Sequence, residues 1–469
     1  MKMISQFSGY ICQNPLTSWR SILGYTLIVE HSRGVMLTLS EVAGFIWKST
    51  DNWVHTDQVM KAVQNEYNVD MKTAQRDTLS FIQQLLSLGL LITLQPLDKA
   101  DYSIMIELKE SLPNLHEQFP VEIKNLCEIE HIPIVAFLEL TRKCNLDCIH
   151  CYNGGSGIQE LNFNQVKILL DDLAELGCLD LVLTGGEPFL HKYFEDILWY
   201  ARDKHFCITL KTNGTLISKR LASLLRKTLV SEVHISIYSL NPSEHEGITN
   251  TPGSLAKSLY GIECLLEEGI KVRISTPITK VNYLSVREIK EFADRINTDV
   301  GFDPIITPQV DGSRNPVALR IDKDDWQKLL DNGLLSEVIY PNTVNLNDLS
   351  SIQSGASKSI AANELICGAG NSSVAINALG DVIPCICLPL KMGNILENSI
   401  KSIWRDEKAW YKMRNLTKNQ FTDCADCKLI EYCPRCPGVS FLETGKLTGV
   451  APVICTSASF LAQSRGHVI

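Results

Sequence analysis

The sequence predicts an α/β protein built on a parallel sheet of six βα units, and two patterns point there. Between Ile132 and about Arg320, apolar runs centred on Phe137, Leu183, Thr209, Ile235, Ile274 and Ile305 alternate with stretches of helical pattern that begin near Asn162, Tyr193, Ile217, Pro252 and Leu284. Three cysteines, Cys144, Cys148 and Cys151, stand directly behind the first run, Ile132 to Leu140. In closed βα barrels the site lies at the C-terminal ends of the strands, which is where this loop falls.

The loop reads Cys144-Asn-Leu-Asp-Cys148-Ile-His-Cys151. Three thiols this close can share one inorganic cluster, and a [4Fe-4S] cube needs four ligands. One iron is then left for something that is not protein. With 16 cysteines in 469 residues, this spacing arises by chance in roughly 2% of shuffled chains, so the loop is suggestive without being decisive. The competing reading is zinc, whose sites usually pair two close ligands with two distant ones.

Composition narrows the classes. A formal net charge of −9 argues against a general nucleic-acid binder. No run approaches the 18 or so apolar residues of a membrane span, and Met1-Lys-Met-Ile-Ser-Gln-Phe7 lacks the apolar core of a secretion signal. The expected location is the cytoplasm, where thiols stay reduced and open to metal.

Residues 1–100 read as a separate small unit. A strand over Gly24–Glu30, a turn at Ser32–Gly34 and a strand over Val35–Leu39 precede a helix capped by Ser40 that carries Val42, Ala43, Phe45, Ile46 and Trp47. Helices over about Thr56–Tyr67 and Lys72–Leu88 follow, and Leu90–Leu94 returns as a strand. Residues 101–131, with Pro113 and Pro120, read as a linker, 132–321 as the βα domain, 322–366 as a bridge and 367–469 as a cysteine-rich tail.

The Cys144 spacing and the following Tyr152 resemble the radical SAM superfamily, and the six strands resemble its partial (β/α)6 barrel. The resemblance implies a cluster whose open iron chelates S-adenosylmethionine (SAM). Reductive cleavage then yields a 5′-deoxyadenosyl radical that takes hydrogen from substrate. It implies further that Thr184-Gly185-Gly186-Glu187-Pro188 serves the SAM amino group, with Glu187 as acceptor, and that Thr212 and Asn213 lie at the pocket rim. Ser236, with Ser239 beside it, is the candidate for the ribose hydroxyls. Period-two alternation places Ser236 and Tyr238 on one face of that strand. The family's adenine pattern is degenerate at Val272–Ile278.

Thr38–Trp47 and Leu85–Leu91 resemble the leader-binding element of ribosomal peptide maturation systems, which implies a precursor peptide added as a strand to a sheet edge. A winged-helix DNA reader shares that fold. Lys and Arg balance Asp and Glu at eight each in residues 1–100, whereas a DNA reader should show a basic face.

Cys367, Gly380, Cys385, Cys424-x2-Cys427-x5-Cys433-x2-Cys436 and Cys455 resemble the SPASM extension, which implies two auxiliary iron–sulfur clusters, expected as [4Fe-4S]. One would be held by Cys424, Cys427, Cys433 and Cys455, and the other by Cys367, Cys385 and Cys436. Its fourth place is either filled by Cys387 or open. The gap before Cys436 is two residues where the family has three. A pair of zinc knuckles is the alternative.

Together these resemblances imply a maturase that holds a precursor by its leader and forms thioether bonds from cysteine sulfur to carbon in the core, fed by a flavodoxin- or ferredoxin-type donor. Carbon–carbon cross-linking and epimerisation are the alternatives within enzymes. An iron–sulfur redox-responsive DNA regulator is the alternative of another class.

Overall fold

The computed structural model describes residues 8–31, 35–94, 121–153, 160–339 and 365–467. The turn at Ser32–Gly34, Pro113 and Pro120 of the linker, and the polar stretch Asn345–Ser359 lie outside the described residues. The chain divides into two compact units, Met1–Pro120 with His205–Cys207, and Val121–Lys204 with Ile208–Ile469.

In the first unit, strands β1 (Tyr10–Gln13), β2 (Thr17–Ile22), β3 (Tyr25–Glu30), β4 (Val35–Leu39), β5 (Val54–His55) and β6 (Leu91–Thr93) form two three-stranded antiparallel sheets, ordered β2-β3-β4 and β5-β1-β6. Helices run over Glu41–Lys48, Thr56–Tyr67 and Met71–Ser87. Their periodic apolar faces meet around Ile11, Ile28, Trp47, Val59, Ile82, Leu85 and Leu90, all buried. Ser40 precedes its helix without a side-chain cap bond, whereas Asp70 accepts the Thr73 N–H at 3.0 Å. β1, β2 and β5 are absent from the reading of the sequence, because Thr17-Ser-Trp-Arg-Ser-Ile22 is largely polar and Val54–His55 is too short to carry a pattern.

The second unit carries one nine-stranded sheet. Its parallel run is β7 (Val135–Thr141), β8 (Asp180–Gly185), β9 (Cys207–Thr212), β10 (Val230–Ser236), β11 (Lys271–Pro277) and β12 (Asp299–Asp303), in sequence order, with helices between. Beyond β7 the tail adds β13 (Ser373–Ile376), β14 (Asp381–Ile383) and β15 (Gly393–Asn394). β13 pairs parallel to β7, Ser373 against Val135, so the cysteine-rich region is hydrogen-bonded into the barrel sheet. The sixth strand is Asp299–Asp303, several residues before Ile305, because β-pairing to Arg273–Pro277 fixes it there. A helix over Val121–Ile129 occupies the end of the expected linker.

Arg414 locks the tail. It donates to Gly370 O at 3.0 Å and Trp404 O at 2.8 Å, pairs with Glu407 at 2.7 Å, and lies over the Trp404 and Trp410 rings. Gly370 has φ +79, and a Cβ there would sit 2.9 Å from Trp410, so only glycine fits.

Candidate cofactor and cluster site

β7 ends at Thr141, and the loop that follows is pinned on both sides. Asp147 N–H donates to Thr249 O at 3.2 Å and Ile149 N–H to Ile248 O at 3.0 Å. Asn145 bridges to the third strand end, donating to Thr215 Oγ1 at 2.8 Å and accepting from Asn213 Nδ2 at 3.0 Å. Asn213 Nδ2 also lies 3.9 Å from Cys144 Sγ. Cys144, Cys148 and Cys151 stand within electrostatic reach of one another, and burial with that mutual repulsion pushes the Cys148 thiol up to about 12.

Gly185 and Gly186 explain how the second strand end meets this loop. Gly186 N–H donates to Thr141 O at 2.7 Å and Glu187 N–H to Lys143 O at 2.8 Å. A Cβ on Gly186 would overlap Lys143 O and lie 2.8 Å from Arg142 O, and Gly185 holds φ +131 against Thr141. The close approach at these glycines is therefore to the backbone of the cysteine loop.

Glu187 is fully buried. Its carboxylate accepts from Thr212 Oγ1 at 2.8 Å and 2.9 Å and from the Asn213 N–H at 2.9 Å, while burial raises its pKa to about 7. It thus fastens Thr212 and Asn213, and through Asn213 the Cys144 region. Tyr152 donates to Glu139 Oε1 at 3.0 Å. Ser236 and Cys148 both lie within electrostatic reach of the Tyr238 hydroxyl. Ser239 is fully buried, and its Oγ accepts the Asn241 N–H at 3.0 Å, so it serves the start of the next helix.

Tyr238 and Asn145 were not singled out from the sequence as site residues. Tyr238 could have been found from its alternation with Ser236, whereas Asn145 carries no signal beyond standing next to Cys144.

The tail brings its cysteines into two sets. Cys367, Cys385 and Cys436 lie within electrostatic reach of one another, and Cys387 joins them. A hydrogen bond from the Cys387 thiol, helped by backbone N–H groups, lowers the Cys385 pKa to about 7. Cys424, Cys427, Cys433 and Cys455 line one cavity together with Arg435. Gly380 makes the turn between β13 and β14 at φ +81, donating to Asn377 O at 2.9 Å.

Among the described residues no three His, Cys, Asp or Glu side chains close on a single metal ion. A cluster spreads its thiolates wider than one ion does, and the all-sulfur donor sets suit iron–sulfur chemistry. Around the Cys144 loop, Arg142 Nε, His150 Nδ1 and Asn153 Nδ2 are buried without hydrogen-bond partners among the described residues, as expected beside a group that completes the site.

Comparison with known proteins agrees with this architecture. The radical SAM superfamily profile matches residues 138–296, an iron-sulfur cluster-binding domain (SPASM) profile matches 367–437, and the coenzyme PQQ synthesis protein D profile matches 25–91. The chain is 31% identical over 319 residues to the antilisterial bacteriocin subtilosin biosynthesis protein AlbA of Bacillus subtilis, covering 65% of this chain and 67% of the relative. It is 25% identical over 324 residues to the AdoMet-dependent heme synthase of Methanosarcina barkeri, covering 66% and 92%. The fold resembles Streptococcus suis SuiB, solved bound to precursor peptide SuiA, with TM-score 0.57, 16% identity and coverage of 95% of this chain and 99% of that one. No described helix is long and apolar enough to cross a membrane. With a PqqD-like N-terminal region, a radical SAM barrel and a SPASM tail in one chain, this protein belongs to the radical SAM/SPASM peptide maturases.

Proposed function

We propose that this chain holds a ribosomally made precursor by its leader and forms thioether cross-links from cysteine sulfur to carbon in the core. The observation that carries this reading is the position of the Cys367 set. Lys211, on the inner face of β9, is within electrostatic reach of Cys385 and Cys387, so a redox group held there sits beside the reaction chamber. Similarity to AlbA, a bacteriocin biosynthesis protein, and the PqqD-like region support a peptide over a porphyrin.

When bound, SAM and its cluster would supply the radical that removes one hydrogen atom, and an auxiliary cluster would take up the electron released as a thiolate closes on the carbon. Each link removes two hydrogens from the peptide: one ends on 5′-deoxyadenosine, the other leaves the thiol as a proton. Cys144, Cys148 and Cys151 hold the first cluster, with Asn213 hydrogen-bonded beside Cys144. Tyr238 stands between Cys148 and Ser236, within electrostatic reach of the first and beside the second. Gly185, Gly186 and Glu187 fix the distance between the two strand ends. Cys424, Cys427, Cys433 and Cys455 hold one auxiliary [4Fe-4S] cluster, and Cys367, Cys385 and Cys436 anchor the other with Cys387 adjacent. A flavodoxin or ferredoxin supplies the electron for SAM cleavage.

Carbon–carbon cross-linking gives the same mass loss. Co-expression with a cysteine-bearing precursor, followed by mass spectrometry and thiol alkylation, separates the two. A product lighter by two hydrogens per link, with its cysteine no longer alkylated, is expected. The same mass loss with every cysteine still alkylated overturns the thioether reading.

A further inference from the structure

Three adjacent strands each place one basic residue at the same level of the barrel's inner face. Lys211 on β9 is in register with His234 on β10, and His234 with Arg273 on β11. Their sequence neighbours Leu210, Val233 and Val272 are at most 1% exposed among the helices, so the three basic residues share the opposite face. The middle member is already paired, since Glu232 holds His234 at 2.6 Å and Lys271 at 3.5 Å.

Lys211 and Arg273 have no such partner. Among the described residues neither has a carboxylate oxygen within 4.0 Å. Asp303, the carboxylate within electrostatic reach of Lys211, accepts the Ile305 N–H at 2.8 Å. The Lys211 ammonium instead lies 5.8 Å from the Phe137 ring centre. Arg273 is laid across Gly301, where a Cβ would come within 3.3 Å of its Nη2, so the next strand leaves room for the guanidinium in the lumen.

Asp303 and the Cys385 and Cys387 thiols act on Lys211 and Glu232 acts on Arg273 only through space, so two half-buried cations are left without a directly bonded anion, which is costly. Residues two strands apart have Cα atoms about 10 Å apart, a span that one carboxylate bridges when both side chains lean toward it. One level nearer the strand ends stands Ser236, in register with Ser275 and close to Tyr238 and Cys148. The pair therefore lies just beneath the nucleotide side of the chamber.

We propose that Lys211 and Arg273 form a carboxylate-binding subsite in the barrel, which selects a core segment presenting an acidic side chain or C-terminal carboxylate next to the carbon that loses hydrogen. The proposal rests on the peptide-maturase reading but not on which bond is formed. His234, held by Glu232, is the spacer between the two cations. A carboxylate held there sets the neighbouring carbon between the Cys144 loop and the Cys385 set, and it distinguishes acidic core positions from their amides.

Equilibrium dialysis on cluster-loaded, SAM-bound full-length protein tests this, using labelled N-acetyl-aspartate N-methylamide and N-acetyl-asparagine N-methylamide as probes. The parent is expected to bind the acid at least about tenfold more tightly than the amide. In Lys211→Met and Arg273→Met that preference should fall below about twofold, with iron content and the SAM-induced EPR change of the reduced cluster retained. Equal affinity of the parent for the two probes overturns the subsite, and this comparison needs no variant. Loss of the SAM-induced EPR change in both variants also overturns it, because the pair would then serve the SAM carboxylate. Lys211→Gln, which keeps a polar side chain without the charge, should behave as Lys211→Met, and an undiminished preference there removes Lys211 from the subsite. A carbon–carbon product in the precursor assay would refute thioether formation while leaving these binding results unchanged.

Discussion

Replacing Gly186 by Ala places a methyl group against two backbone carbonyls, Lys143 O and Arg142 O, the second only 2.8 Å away. Neither oxygen can rotate aside as a side chain does, so the Thr141–Lys143 segment must move. That movement gives up two hydrogen bonds, Gly186 N–H to Thr141 O at 2.7 Å and Glu187 N–H to Lys143 O at 2.8 Å. Two such bonds contribute about 1 kcal/mol each, and forced overpacking costs about 1–3 kcal/mol more. The sum, about 3–5 kcal/mol, lowers the population of the native loop by roughly a hundredfold or more. Because the strain is confined to the segment leading into Cys144, the expected phenotype is selective. Iron should fall by one cluster's worth and 5′-deoxyadenosine formation should be lost, while the auxiliary EPR signals and far-UV circular dichroism persist. Full iron with normal SAM cleavage in Gly186→Ala would refute the claim that these glycines set the spacing of the site.

Asp180 lies at the start of β8, and burial raises its pKa from 3.8 to about 7. A carboxyl group raised in this way favours the fold at low pH, and that contribution is lost as pH climbs from about 4 to about 7. Asp180→Asn should therefore melt a few degrees above the parent at pH 8, from about 2–4 kcal/mol of relieved cost, with the gap narrowing toward pH 5. A gap that is constant with pH contradicts the shift. Trp47→Ala empties a fully buried position in the first unit and should cost about 3–5 kcal/mol. Precursor affinity should drop in a binding titration while iron content holds, and unchanged affinity speaks against strand addition to that unit. Arg414→Met removes bonds to Gly370, Trp404 and Glu407 and strands the first two carbonyls, a loss of about 2–5 kcal/mol. Auxiliary iron should fall while the Cys144 cluster stays, and loss of all clusters together would show that the tail is not a separable support.

Much of the barrel is legible in the sequence because its strands are either apolar runs, as Leu181–Leu183, or alternate apolar and polar residues, as around Ile274. β12 is not, since Asp299-Val-Gly-Phe-Asp303 is half polar and the stronger apolar signal falls at Ile305-Ile306. β13 is hidden for another reason: its partner Val135–Leu138 lies more than 200 residues away, and no local pattern encodes so distant a parallel pairing. At the site, spacing alone draws attention to Cys144, Cys148 and Cys151, and Gly-Gly-Glu to the second strand end. What the glycines touch, and that Glu187 also holds Thr212 and Asn213, depends on the packing of two strand ends. Ser239 and Ser236 look equivalent in sequence. Only the turn at Asn241 separates them, burying one and leaving the other half-buried beside Tyr238.

The most direct test is an iron count and EPR spectrum on protein purified without oxygen, comparing the parent with a Cys144→Ala, Cys148→Ala, Cys151→Ala triple variant. The expected result is the loss of one cluster's iron together with the reduced-cluster signal that shifts on adding SAM, and of all peptide modification. Equal iron and a retained SAM-dependent shift in the triple variant would contradict the assignment of this loop as the SAM-binding centre.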